Sequence, residues 1–168
     1  WQSNMTDTQR ELFKRGISQL VLLDSIATQA DGHMADYIQN PAIKTLLFYI
    51  ASQEGIHNES YTYICTSFMT KEEADAVFLR PKTDPKVIGA TQAILDKFDE
   101  FRNNKTPKTL AMALVAMSAL EGIRFTNGFV PFYYLNRSRL MQGTGTIINL
   151  INRDETQHGY TQMAIVRD

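Results

Sequence analysis

Apolar residues recur at intervals of three and four along nearly the whole chain, with little of the alternation that marks strands. That period gathers side chains on one face of an α-helix, and it predicts helices near 7–30, 41–68, 71–79, 85–103, 107–135 and 146–166. Capping chemistry marks several starts. Asn40-Pro41, Asp84-Pro85 and Thr106-Pro107 each set a side-chain acceptor before a first-turn proline, while Thr70 with Glu73 and Thr8 with Glu11 fit capping boxes. Asp31-Gly32 and the run QGTGT at 142–146 read as connectors, and Pro131, after Gly128, is expected to kink the fifth helix near its end. A helix over 41–68 is about 42 Å long at the α-helical rise, a length that belongs in a bundle of long, roughly antiparallel helices. The expected fold class is all-α, in one domain over 1–168.

Four of the apolar stripes are interrupted by polar residues. On the second helix, positions 43, 47, 50, 54, 57, 61, 64 and 68 share a face and read Ile, Leu, Ile, Glu, His, Tyr, Ile, Phe. On the last helix Ile148, Ile151, Glu155, His158, Gln162 and Ile165 do the same, so each helix carries a Glu-x-x-His inside its stripe. The first helix adds one carboxylate, Asp24, after Phe13, Ile17 and Leu20. The fifth adds Glu121 between Met117 and Phe125.

A lone Glu-x-x-His is most often a solvated helix face. Two of them within apolar stripes, joined by Asp24 and Glu121, are different, because unpaired buried carboxylates cost several kcal/mol each. Compensating charge is required, and two metal ions supply it. Single carboxylates from two helices with a Glu-x-x-His from each of two others form the ligand set of dinuclear carboxylate bundles. Oxygen-rich ligands with one imidazole per metal suit iron or manganese better than zinc. Tyr61, one turn past His57 on the same face, is placed near one metal, although an ordinary core tyrosine would have the same spacing. His33 is expected in a loop, at the surface.

Composition narrows the setting. Seventeen basic residues against eighteen acidic ones give a formal charge of −1, without blocks of either sign, so nucleic acid and anionic membranes are not expected partners. The apolar run at 109–120 meets Glu121 and Arg124 too soon for a membrane span. A single cysteine, Cys65, and the absence of a signal peptide at the head of the given sequence point to a reducing cytoplasm, with Cys65 a buried, inert thiol.

The segments LLDSI at 22–26, EGIHNESYTYI at 54–64, LEGIRFTNGF at 120–129 and INRDETQH at 151–158 resemble, in order and spacing, the small radical-generating subunit of class I ribonucleotide reductase. The resemblance runs from about Trp1 to the C-terminus. It implies a ferritin-like bundle in which Asp24, Glu54 and His57 bind one metal and Glu121, Glu155 and His158 the other, with Glu54 and Glu155 able to bridge. It further implies two iron ions, with dimanganese or mixed manganese and iron as variants, that react with dioxygen and oxidise Tyr61 to a radical. That radical would initiate ribonucleotide reduction in a separate large subunit. Asp154 matches the aspartate that hydrogen-bonds the histidine at the position of His57, while Phe125, Phe129 and Ile151 match the apolar pocket around the tyrosine. A homodimer is the implied assembly.

Two departures from the family stand out. Trp1 is too close to Asp24 to match the family's electron-passing tryptophan, and the family continues beyond the last ligand helix into a tail that docks on the large subunit. The given sequence therefore reads as a core lacking both ends. The competing readings are another ferritin-like protein, a di-iron oxygenase or ferroxidase, and a metal-free helical interaction module.

Overall fold

The stripes assemble as helices against helices. The computed structural model describes residue 1 and residues 3–167, and among them every regular element is helical. The long elements are α1 (Asp7–Tyr37), α2 (Pro41–Thr66) and α8 (Gln142–Arg167). A fourth long run starts as α6 (Pro107–Ala119), passes through a π-helical segment (Leu120–Phe125) and continues as α7 (Thr126–Arg137). Between α2 and α6 lie the shorter α3 (Lys71–Thr83), α4 (Pro85–Gly89) and α5 (Gln92–Asn103). Short links between α1 and α2 and between α7 and α8 make those neighbours antiparallel. α1 packs on α2, α3 and α7, while α8 packs on α6, the π segment and α7.

Most starts follow the capping chemistry. Asn40, Thr70, Asp84 and Thr106 all accept backbone N–H bonds at the heads of α2, α3, α4 and α6. The head of α1 differs from expectation, because the capping box there is Thr6 with Gln9 and not Thr8 with Glu11. Glu11 is drawn away by two arginines, Arg15 at 2.9 Å and Arg80 at 2.8 Å.

Further boundaries need correction. Asp31-Gly32 is no connector, since α1 runs on to Tyr37 with Asp31 buried, and His33 accordingly lies inside this helix, half-buried toward Leu95 and Phe98 of α5. The expected helix over 85–103 breaks at Ala90-Thr91. α8 begins at Gln142, so QGTGT is helical; Gly145 is there for close packing, with no room for a Cβ against Asn136. The turn before α8 instead uses Arg139 and Met141, at φ 59° and 52°. In the fifth predicted helix the irregularity is the π segment, and Pro131 lies within α7.

The core runs the length of the bundle through Phe13, Ile17, Leu20, Leu47, Leu114, Met117, Phe132 and Ile148, all essentially without exposure. Gly128 lets α7 close on α1, where an added Cβ would lie 2.6 Å from Leu20 Cδ2. Cys65 is buried as expected, and burial pushes its thiol up to about 12. Trp1 packs edge-on against Phe13 and Phe68, with ring centroids 5.3 and 4.9 Å away. The run Pro107–Arg137 is long and apolar enough to cross a membrane by length and composition alone; in the bundle its inner face carries Met117, Glu121 and Phe125 into the core.

Candidate metal centre

Six polar side chains meet where the four interrupted stripes face one another. Asp24 and Glu54 are wholly buried, Glu155, Glu121 and His158 are 1–2% exposed, and His57 is 3% exposed. Their potential ligand atoms form two groups, each with all atoms within 4.8 Å of one another: Asp24, Glu54, His57 and Glu155, then Glu54, Glu121, Glu155 and His158. Glu54 and Glu155 belong to both. Helical spacing explains the arrangement, since each histidine follows its glutamate by three residues and the two side chains leave one face of α2 or α8 together.

The ring orientations agree on both helices. His57 turns Nδ1 inward, 3.0 Å from Glu155, 3.3 Å from Asp24 and 3.4 Å from Glu54. His158 turns Nδ1 inward too, 2.8 Å from both Glu54 and Glu155. None of these close approaches has hydrogen-bond geometry, and both Nδ1 atoms and every carboxylate oxygen of Asp24, Glu54, Glu121 and Glu155 lack a hydrogen-bond partner among the described residues. Such groups are satisfied almost everywhere else in folded proteins. Here the lone pairs converge on shared space, the arrangement a pair of cations would complete, so the donor set fits a dinuclear centre.

Outward, each ring nitrogen Nε2 finds a partner. His57 Nε2 lies 3.5 Å from Asp154, the aspartate singled out in the sequence. His158 Nε2 lies 3.2 Å from the amide oxygen of Gln53. An acceptor at Nε2 fixes the tautomer that leaves the Nδ1 lone pair free for a metal. Gln53 was not foreseen. It sits immediately before Glu54 and off the apolar stripe, where periodicity assigns no role.

Without metal, protons occupy the site. Burial holds Asp24 and Glu121 well above the usual carboxyl range, with the negative charges of Glu54 and Glu155 adding to it. Glu54 is lowered: burial opposes this, but His158 and then His57 outweigh it. Burial works against the imidazolium forms, yet the surrounding carboxylates raise His57 strongly and push His158 up to about 9.

Tyr61 lies wholly buried one turn past His57, and its hydroxyl has no hydrogen-bond partner among the described residues. Burial, then the charge of Asp24, raises this phenol well above its ordinary range. Phe125, Phe129 and Ile151 belong to the same buried cluster as Tyr61, with the two phenylalanine rings 6.0 Å apart.

The π segment delivers Glu121. Its widened turn leaves carbonyls to be served by side chains, and Gln19 donates to Arg124 O at 3.2 Å while Thr126 donates to Gly122 O at 2.9 Å. Opposite, Gly159 brings α8 to van der Waals contact, where a Cβ would sit 3.4 Å from Glu121 Cβ. A cleft walled by Ser118, Gly122, Thr126 and Gly159 leads from the surface down to Glu121 and Glu155. No spacing rule announces a π turn, so the sequence reading missed both.

Known proteins share this arrangement of helices. A subunit beta of ribonucleoside-diphosphate reductase from Halalkalibacterium halodurans is 37% identical over 156 residues, 93% of this chain and 45% of that protein. The ribonucleotide reductase R2 subunit from Clostridium botulinum superposes with a TM-score of 0.90 at 31% identity, over 97% of this chain and 51% of that one. The dimanganese(II) form of Streptococcus sanguinis NrdF shares the fold at a TM-score of 0.83 and 22% identity, over 97% of this chain and 56% of that one. The chain thus spans about half the length of these relatives. The family model described as ribonucleotide reductase, small chain, matches residues 1–168 in full, and with the ferritin-like bundle and its core of carboxylates and imidazoles this chain belongs to that family.

Proposed function

We propose that this chain is the radical-generating part of a ribonucleoside-diphosphate reductase, acting with a large subunit to convert ribonucleotides to deoxyribonucleotides. Asp24, Glu54 and His57 would hold one metal ion and Glu121, Glu155 and His158 the other, with Glu54 and Glu155 reaching both. A bound iron pair, or its dimanganese or mixed counterpart, supplies dioxygen activation and a one-electron oxidant. The observation that carries this reading is the convergence, among buried side chains, of Nδ1 and carboxylate atoms that lack hydrogen-bond partners.

The residues then divide the work. Asp154 and Gln53 orient the imidazoles through Nε2. Tyr61 is the stored oxidant, giving up one electron together with the proton on its hydroxyl oxygen. Burial forbids a phenolate there, so electron and proton leave together, and Asp24 is the carboxyl whose charge acts most on that hydroxyl. Phe125, Phe129 and Ile151 keep water and reductants from the radical. Exposed Tyr49, Ile56 and Tyr63, seven residues apart on the outer face of α2, support a homodimer across that helix. A lone, buried cysteine suits a reducing cytoplasm.

The test loads the protein anaerobically with ferrous iron, admits dioxygen and records electron paramagnetic resonance beside metal analysis. The expected result is roughly two irons per chain with a tyrosyl signal. Tyr61→Phe should keep both irons and their oxidation but lose the signal. An undiminished radical in Tyr61→Phe would refute the assignment of the oxidant, and two oxidised irons with no radical in the unaltered protein would favour an oxygenase or ferroxidase.

A further inference from the structure

The buried polar column does not end at the second set of ligands. Asp31 lies two turns beyond Asp24 on α1, and Gln162 lies one turn beyond His158 on α8; both are wholly buried. Gln162 Nε2 donates to Asp31 Oδ1 at 3.2 Å. Asp31 Oδ2 and Gln162 Oε1 have no partner among the described residues. Gln162, the partner of Asp31, follows His158 by one turn of α8, which places the pair on the His158 side of the centre. Asp31 is outside both groups of converging ligand atoms.

Packing does not explain such a pair. An asparagine would fill the same volume without an acid in the core, and a buried acceptor left without a donor costs stability. Two polar atoms left over on one hydrogen-bonded, buried pair call for a small group that can serve both, and water, able to donate and to accept, is the smallest that fits. Water beside or bound to a divalent cation is a stronger donor than bulk water, so the pair is best matched when the second metal is present.

We propose that Asp31 and Gln162 hold a water molecule against the ligand sphere of the second metal, making Asp31 a positioning residue for that ion. The inference rests on the dinuclear reading above. It assigns the second metal an outer shell of a buried carboxylate and two amides, Asp31, Gln162 and Gln53, whereas the first metal has Asp154.

Manganese(II) binding to the whole chain, followed by the resonance of the free ion, tests this. The unaltered protein should bind two ions, and Asp31→Asn should weaken the second by ten- to a hundredfold, the range for losing an outer-shell partner, while changing the first less than twofold. The metal-free variant should melt no lower than the unaltered protein, whereas a purely structural role would lower the melting temperature and spare the affinity split. Gln162→Met should give the same selective loss and serves if Asp31→Asn fails to fold. A crystal structure of the manganese-loaded protein should show water within hydrogen-bonding distance of Asp31 Oδ2 and Gln162 Oε1. Unchanged second-site affinity in both variants, or Asp31 bound directly to the metal, overturns the proposal. Binding of fewer than two ions by the unaltered protein would instead bring down the dinuclear reading, and this inference with it.

Discussion

Loading the centre with metal should expel protons. Asp24 and Glu121 are held protonated by burial, and His57 and His158 are held as imidazolium by the carboxylates around them. A metal accepts carboxylate and neutral imidazole only. Occupation of both sites at pH 7 therefore releases at least about two protons per chain from the rings, with the raised carboxyls adding to them. Glu54, already lowered, contributes none. The product of the two binding constants should accordingly fall by at least about a hundredfold for each unit of pH lost below neutrality. Above pH 9 His158 loses its proton unaided and the release should drop by about one.

Manganese(II) titrated into weakly buffered protein with a pH indicator counts these protons directly. The metal-free fold supplies an independent check of sign. His57 and His158 have folded pKa values above the unfolded one, so their contribution is complete below about 6.5; that of His158 is lost as pH rises through about 9, and that of His57 only at higher pH. The raised carboxyls act in the same direction, because above about pH 4 the folded chain holds protons that the unfolded chain has released. The melting temperature of metal-free protein should therefore fall between pH 6.5 and 9, while metal-dependent stabilisation grows over the same range. Release of one proton or none, with a melting temperature flat in pH, would show that the centre is already ionised without metal and would refute the account.

Two further outcomes follow from individual contacts. Gln53→Leu removes the acceptor at His158 Nε2 and should weaken the second manganese site by ten- to a hundredfold in the same titration, with the His57 site spared. Gly128→Ala forces a Cβ onto Leu20 in the closed core between α1 and α7 and should destabilise the protein by about 1–3 kcal/mol in denaturant unfolding; an unchanged midpoint would show that the two helices separate freely.

What could be read in advance depended on whether a local rule carried the information. The six residues of the centre were legible because helical periodicity and the cost of burying charge both operate within one helix at a time: a Glu and a His three apart on an apolar stripe announce themselves without knowledge of neighbours. Asn40, Thr70 and Thr106 were legible for the same reason, as caps act within one turn. The features that escaped depend on contacts between helices. Asp31-Gly32 has turn chemistry, yet α1 continues through it with Asp31 bonded to Gln162, a residue 131 positions away. Gly145 looks like a break until Asn136 is seen filling the space a side chain would need. Gln53 is off the stripe of α2, and only the approach of α8 gives it a histidine to orient.

The π segment shows the same limit most sharply. Apolar spacing through Met117, Glu121 and Phe125 fits an ordinary helix, and the chain departs from one where Glu121 joins carboxylates from three other helices. A regular turn fixes the direction of every side chain from its neighbours, whereas one widened turn frees a single carboxylate to be aimed by the site. The irregularity is confined to Leu120–Phe125, and side chains of Gln19 and Thr126 serve the carbonyls it loosens. That restriction argues that the distortion belongs to the placement of Glu121 and not to the proline of α7, because the π turn surrounds the carboxylate and ends before Pro131 is reached.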